Sequence, residues 1–137
     1  MNVLVTGGGG FLGSAICRQL AAGGHDPVAF QRSAAPDLEE LGVRCVAGDI
    51  ADPEAVSAAA EGCDAIVHTA GKAGVWGDAA DYWKVNVEGT ANVIQACREH
   101  GIEILVHTSS PSIVPVSYTH LRAHETASFI AYAVFCL

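Results

Sequence analysis

The chain has 137 residues, half of them hydrophobic, which bounds it to one domain with a sizeable core. Its 15 acidic and 7 basic residues leave a net charge of −8, which argues against nucleic acid and anionic membrane surfaces as partners. No apolar run is long enough to span a bilayer, and five scattered cysteines without Cys-x-x-Cys spacing (Cys17, Cys45, Cys63, Cys97, Cys136) read as reduced thiols of a cytoplasmic protein.

Residues 1–6 (MNVLVT) predict a strand and Gly7 to Gly13 (GGGGFLG) a glycine loop. A helix follows to Ala22, because Ala15, Ile16, Leu20 and Ala21 recur at helical spacing. With a strand starting at residue 2, no signal peptide is expected. Strand, glycine loop and helix form the arrangement that seats a dinucleotide pyrophosphate. Glycines allow a tight turn, a close approach to the phosphates and close helix–strand packing, while the helix start presents free N–H groups and a positive dipole end. Two frames fit, Gly8-x-Gly10-x-x-Gly13 and Gly7-x-x-Gly10-x-x-Gly13. With Thr6 in front and Phe11-Leu12 inside, the second frame resembles the Thr-Gly-x-x-Gly-Phe-x-Gly signature of the extended short-chain dehydrogenase/reductase family. That resemblance implies cofactor contacts at Gly7, Gly10, Phe11, Leu12 and Gly13.

His25 to Pro27 reads as a turn and Val28 to Phe30 as the second strand. The residue closing such a strand reads the adenosine ribose: an acid accepts from the 2′-hydroxyl of NAD, and a nearby Arg accommodates the 2′-phosphate of NADP. Gln31-Arg32-Ser33 brings Arg32 and no acid before Asp37, so NADP(H) is favoured as cofactor and NAD(H) stays open. Asp37 to Leu41 is a helical turn, and Val43 to Ala47 is a third strand ending in Gly48-Asp49-Ile50. In the family resembled, the Asp of such a segment lies beside the adenine, which implies cofactor contacts for Asp49 and Ile50. Asp52-Pro53 supplies an N-cap and a first-position proline for a helix to Glu61. Ala65 to His68 is a fourth strand, and His68 within it reads as a packed neutral side chain. Thr69-Ala70-Gly71 lies at the carboxyl end of that strand, where open α/β sheets bind ligands; Ala70 and Gly71 are small enough for close approach.

The stretch HTAGKAGVWGDAADYWKVNVEGT resembles the branch that holds 3β-hydroxysteroid dehydrogenases, sterol-carboxylate dehydrogenases and bacterial β-keto-acid reductases. On that resemblance Val75 and Trp76 either line an apolar substrate or pack the loop. Tyr82 to His100 predicts the longest helix, with Val85, Val87, Ala91, Val93, Ile94 and Cys97 on its apolar side. Asn86 to Thr90 matches the family's Asn-x-x-Gly-Thr, whose Asn supports the active-site hydrogen-bond network, with helix packing as the alternative. Ile104 to Thr108 is a fifth strand. The resemblance makes Ser110, rather than Ser109, the catalytic hydroxyl that holds a substrate carbonyl. The family's Tyr-x-x-x-Lys is absent, since no Tyr here has Lys four residues later.

Past Val114 the resemblance stops. VSYTHLRAHET and IAYAVFCL resemble translated sequencing-library adapter, with one difference at Ala131 and a variable index between them. Residues 1–114 are therefore read as a dinucleotide-binding fragment and 115–137 as an adapter-derived tail. The tail's His120, His124 and Glu125 imitate a metal site, and Tyr118 with Arg122 imitates Tyr-x-x-x-Lys; none is assigned a function, and no metal is expected.

The fold expected is a truncated α/β Rossmann fold: about five parallel strands in the order 3-2-1-4-5, helices on both faces, and strand five as an open edge. The resemblance implies the NAD(P)-binding portion of an oxidoreductase acting on a secondary alcohol or ketone, catalytically inactive as it stands. Its parent would take an apolar substrate such as a sterol or long-chain β-keto acid and could form a homodimer. A nucleotide-sugar epimerase or dehydratase fragment, or a non-catalytic NAD(P)-binding regulator, is the alternative.

Overall fold

The computed structural model describes residues 1–74, 76–109 and the strand at 131–136. Six strands form one sheet: β1 (Asn2–Thr6), β2 (Asp26–Gln31), β3 (Arg44–Ala47), β4 (Ala65–His68), β5 (Ile104–Ser109) and β6 (Ala131–Cys136). Their order is β3-β2-β1-β4-β5-β6. The first five are parallel, as the sequence predicts. The helices are α1 (Phe11–Ala22), α2 (Pro36–Glu39), α3 (Pro53–Ala60), α4 (Ala79–Trp83) and α5 (Gly89–His100), with a π-helical turn at Lys84–Glu88 joining the last two.

The central strand shows why helices lie on both faces. Side chains alternate along a strand, and a strand covered on both sides must be apolar throughout. Val3 and Val5 enter one core with Cys17 of α1 and Leu38 of α2. Leu4 enters the other, with Val56 of α3 and Val93 and Cys97 of α5. Each such buried side chain contributes about 1.5–3 kcal/mol of transfer free energy. Cys17, Cys63 and Cys97 are buried, Cys45 is half-buried, and these four are free thiols.

Four local expectations change. β2 begins at Asp26, so Pro27 lies in a strand rather than a turn. Asp26 N–H donates to Met1 C=O, which turns the next backbone nitrogen toward β3, and β3 pairs with β2 only from Val28 onward. A proline there removes no ladder hydrogen bond. The long helix starts at Ala79, not Tyr82, because Asp78 caps it by accepting from Ala80 N–H at 2.9 Å. It then passes through the π-helical turn before α5, so the segment is not one uniform α-helix. Finally, β5 is not an open edge. β6 pairs with it antiparallel, from Ile104 opposite Cys136 to Ser109 opposite Ala131. An unpaired edge offers a row of backbone donors and acceptors to any extended segment within reach.

The α3 start follows its sequence closely. Asp52 accepts from Glu54 N–H at 3.0 Å and Ala55 N–H at 3.3 Å, with Pro53 in the first turn. Replacing Asp52 by Ala is expected to cost about 1 kcal/mol in urea unfolding, and Asp52→Asn far less. Equal losses for the two variants would mean that the cap does not act through its side-chain acceptor.

Candidate functional site

The glycine loop joins the carboxyl end of β1 to α1. Gly7 takes φ +70° and donates its N–H to Phe30 C=O at 2.8 Å. Gly10 donates back to Gly7 C=O at 2.9 Å, which closes the turn. A Cβ on Gly13 would run into the Gly7 carbonyl, with Gly8 Cα at 2.9 Å; a Cβ on Gly8 would sit 2.6 Å from Ala29 Cβ. Both frames read in the sequence are therefore sterically used. Gly10 caps α1 without a side-chain hydrogen bond, and the first turn carries no acid. The N–H groups of Phe11, Leu12 and Gly13 are thus left for a ligand, at the positive end of the helix dipole.

In front of this loop lies a cavity of about 340 Å³. It is lined by Gly7, Gly9 and Gly10, by the stretch from Phe30 to Ala34, by Gly48-Asp49-Ile50, by Thr69-Ala70-Gly71 and by Val85. Of the residues proposed from sequence, the structure brings Gly7, Gly10, Arg32, Asp49, Ile50, Ala70 and Gly71 together around it. Phe11 and Leu12 do not line it; the Phe11 side chain is 97% exposed, so only backbone groups at these positions face the loop. Gly13 acts from behind, by holding α1 against the loop. Ser110 and Val75 lie outside the described residues. Trp76 is 89% exposed, which excludes packing of its ring into the core.

The first acid after β2, Asp37, is a lining residue of neither this cavity nor its neighbour and lies 3.9 Å from Arg18 of α1. Arg32 makes no ion pair among the described residues. Asp49 Oδ1 accepts from Ala51 N–H at 3.0 Å, which fixes the turn after β3. Sequence reasoning passed over Gln31 as a site residue. Its Oε1 is buried without a hydrogen-bond partner among the described residues, and it stands at the end of β2 within the cavity wall. Its signal was its position, since the side chain closing β2 faces the loop. A glycine cradle, an uncapped helix start and an unpaired amide oxygen around one cavity fit a dinucleotide.

One wall is tied to a buried polar row. Thr6, His68 and His107 occupy one register position across β1, β4 and β5. Thr90 donates its hydroxyl proton to Asn86 C=O at 2.7 Å, so its oxygen accepts from His68 Nε2 at 3.1 Å. His68 Nδ1 then accepts from the Thr6 hydroxyl at 2.6 Å. Thr6 Oγ in turn accepts from Ala70 N–H at 3.3 Å. His68 is 1% exposed and stacks on His107 at 5.1 Å between ring centroids. Burial, helped by His107, pushes its pKa down to about 4. The neutral structural histidine expected from sequence is what the network requires. The Asn86 side-chain amide accepts from Lys72 N–H at 2.8 Å and donates to Lys72 C=O at 3.0 Å. It therefore clamps the loop after β4. Lys72 Nζ sits 2.7 Å from Asp81 Oδ2 and holds that carboxyl below its ordinary range.

Among the described residues, no group of three or more His, Cys, Asp or Glu is placed to hold a metal. Nor is any helix among them long and apolar enough to cross a membrane. Five parallel strands around a glycine loop, with a cleft at their carboxyl ends, define a Rossmann-type nucleotide-binding fold. Within that class, the chain belongs to the 3-beta hydroxysteroid dehydrogenase/isomerase family, whose sequence profile matches residues 4–132. It is 52% identical over 124 residues to a 2-alkyl-3-oxoalkanoate reductase of Stenotrophomonas maltophilia (strain K279a), covering 90% of this chain and 36% of that protein. It is 35% identical over 135 residues to a 3-beta-hydroxysteroid dehydrogenase of Mycolicibacterium neoaurum, covering 93% and 37%. Among solved structures it resembles a UDP-glucose-4-epimerase from Stenotrophomonas maltophila with bound NAD. There the TM-score is 0.74 at 31% identity, covering 87% of this chain and 41% of that one. The chain spans about a third of the length of these curated relatives.

The buried row has a pH signature. The folded pKa of His68 lies near 4, below its ordinary 6.5, so between those values the unfolded chain binds the proton more readily. Stability from this group is present above pH 6.5 and is lost as pH falls from 6.5 toward 4. Denaturant unfolding should show about 2 kcal/mol lost between pH 7 and pH 5 from this group, and His68→Gln should flatten that slope. An unchanged slope in the variant would remove His68 as its cause.

Proposed function

We propose that this chain is the dinucleotide-binding portion of a cytoplasmic NAD(P)-dependent oxidoreductase acting on a secondary alcohol or ketone. The observation that carries this reading is the uncapped start of α1. It opens beside a cavity that gathers Gly7, Gly10, Arg32, Asp49, Ile50, Ala70 and Gly71. In this reading the N–H groups of Phe11, Leu12 and Gly13 bind the pyrophosphate, and Asp49 with Ile50 receives the adenine. Arg32 directly follows β2, with no acid before Asp37, and is taken to meet the adenosine ribose, which favours NADP(H) over NAD(H). When bound, the cofactor supplies or accepts hydride. Ser110 is proposed to hold the substrate oxygen. The NAD-bound epimerase structure and the reductase and dehydrogenase relatives support the reading as a dinucleotide-binding portion of an oxidoreductase. Exposed Trp76, Trp83 and Val87 support an apolar substrate such as a sterol or long-chain β-keto acid, and a parent homodimer would also cover such a surface.

The chain carries no Tyr-x-x-x-Lys, so the proton donor and its electrostatic partner are missing and binding without turnover is expected. Isothermal titration should detect NADPH, with NADH weaker and Arg32→Ala erasing the difference. Gly13→Ala should abolish both. Absence of binding by either dinucleotide would overturn the proposal. Ketone-dependent NADPH oxidation that vanishes in Ser110→Ala would overturn the inactive reading alone.

Residues 115–137 are proposed to be adapter-derived and to contribute nothing to this function. The family match runs to residue 132, into that segment. A long read of the source DNA across codon 114 is expected to leave the present frame for a different coding sequence. A genomic frame that encodes VSYTHLRAHET would refute the adapter origin.

A further inference from the structure

A second cavity of about 490 Å³ adjoins the first and shares Arg32, Asp49, Gly71 and Val85 with it. Its other walls are Lys72, Asp81 and Lys84, so three cations and two carboxylates ring it, in a chain whose net charge is −8. Of the carboxylates, Asp81 is ion-paired with Lys72 Nζ at 2.7 Å, whereas Asp49 accepts one backbone hydrogen bond, from Ala51 N–H. Arg32 and Lys84 make no ion pair among the described residues, and they reach this cavity from different elements, one just after β2 and one on the π-helical turn.

The backbone explains how Lys84 comes to be there. Gly89 N–H donates to Lys84 C=O, the five-residue step of a π-helix, which widens the turn. A Cβ on Gly89 would lie 2.9 Å from Ile50 Cγ2, so only glycine lets this helix close on Ile50, a wall of the first cavity. Val85 and Asn86, the next residues, are committed to the cavity wall and to the Lys72 clamp. π-Helical turns inside α-helices frequently occur at functional sites.

We infer that Lys84, which lines this second cavity together with Arg32, recognises a phosphate group of the bound dinucleotide. This rests on the dinucleotide reading above and assigns it a specificity residue on the helix side of the cleft. Two phosphates share this chemistry, the 2′-phosphate of NADP and the pyrophosphate common to both cofactors. Lys84→Met should weaken NADPH binding about tenfold by titration at low salt, and Lys84→Arg should keep most of the affinity. Arg98→Met removes the same charge from the last turn of α5, away from the cavity, and should leave affinity unchanged. A loss for NADPH alone assigns Lys84 to the 2′-phosphate; equal losses for NADPH and NADH assign it to the pyrophosphate. Unaltered affinities in Lys84→Met, with the original chain binding normally, would overturn this inference and leave the dinucleotide reading intact. An original chain that binds neither cofactor would overturn both. A loss matched by Arg98→Met would reduce the effect to net charge and overturn the local assignment.

Discussion

α1 lies so near the loop before it that position 13 has no room for a Cβ beside the Gly7 carbonyl. That contact sets the direction of α1. It places the start of α1, at Gly10, beside the cavity and lays Ile16, Cys17 and Leu20 on the face formed by Val3 and Val5. On the other face, a Cβ on Gly89 would lie 2.9 Å from Ile50 Cγ2, so the helix backbone packs directly on that side chain, and Val85 lines the cavity nearby. The cleft is therefore bounded by two contacts that leave no room for a Cβ, one against backbone and one against the Ile50 side chain. The first fixes backbone position the more tightly, because no rotamer is available there to absorb a shift.

Between these contacts runs the row of Thr6, His68 and His107. An imidazole this deeply buried is tolerable only when both nitrogens are satisfied in one tautomer. The sequence of donors from Thr6 through His68 and Thr90 to the Asn86 carbonyl meets that condition with every group neutral. It also joins β1, β4 and the π-helical turn to Ala70 in the cavity wall. Loss of one member would strand the others without water, so the wall and the sheet are stabilised together.

Much of this could be read from the residues because period and glycine spacing are local signals. The VLV run of β1, the glycine loop, the Asp52-Pro53 start and the five parallel strands follow from short windows. What escaped depends on partners distant in sequence. Pro27 sits within a strand because β3 pairs late, a fact about residue 44 rather than residue 27. Asp78 reads like any loop acid until the helix after it is placed. The π-helical turn leaves no mark in a pattern of period 3.6, and the role of Gly89 needs Ile50, 39 positions earlier, to be visible. The resemblance matches Asn86 to the family's supporting Asn, with helix packing as the alternative, but its amide geometry toward Lys72 is a property of the folded loop. Ser110, for which resemblance was the warrant, lies outside the described residues.

A chain of net charge −8 that is read as binding an anion needs a local account, because net charge governs long-range steering more than contact energy. At physiological ionic strength exposed charges are screened beyond about 8 Å, so acids elsewhere on the surface contribute little at the cleft. The carboxylates that line the cavities are those of Asp49 and Asp81; Asp81 is ion-paired with Lys72, and Asp49 accepts from Ala51 N–H. The opposing field comes from the start of α1 and from the cations Arg32, Lys72 and Lys84, which lie on different elements. Acidity at the surface and anion binding in the cleft are thus compatible, since each is set over a distance that screening keeps separate.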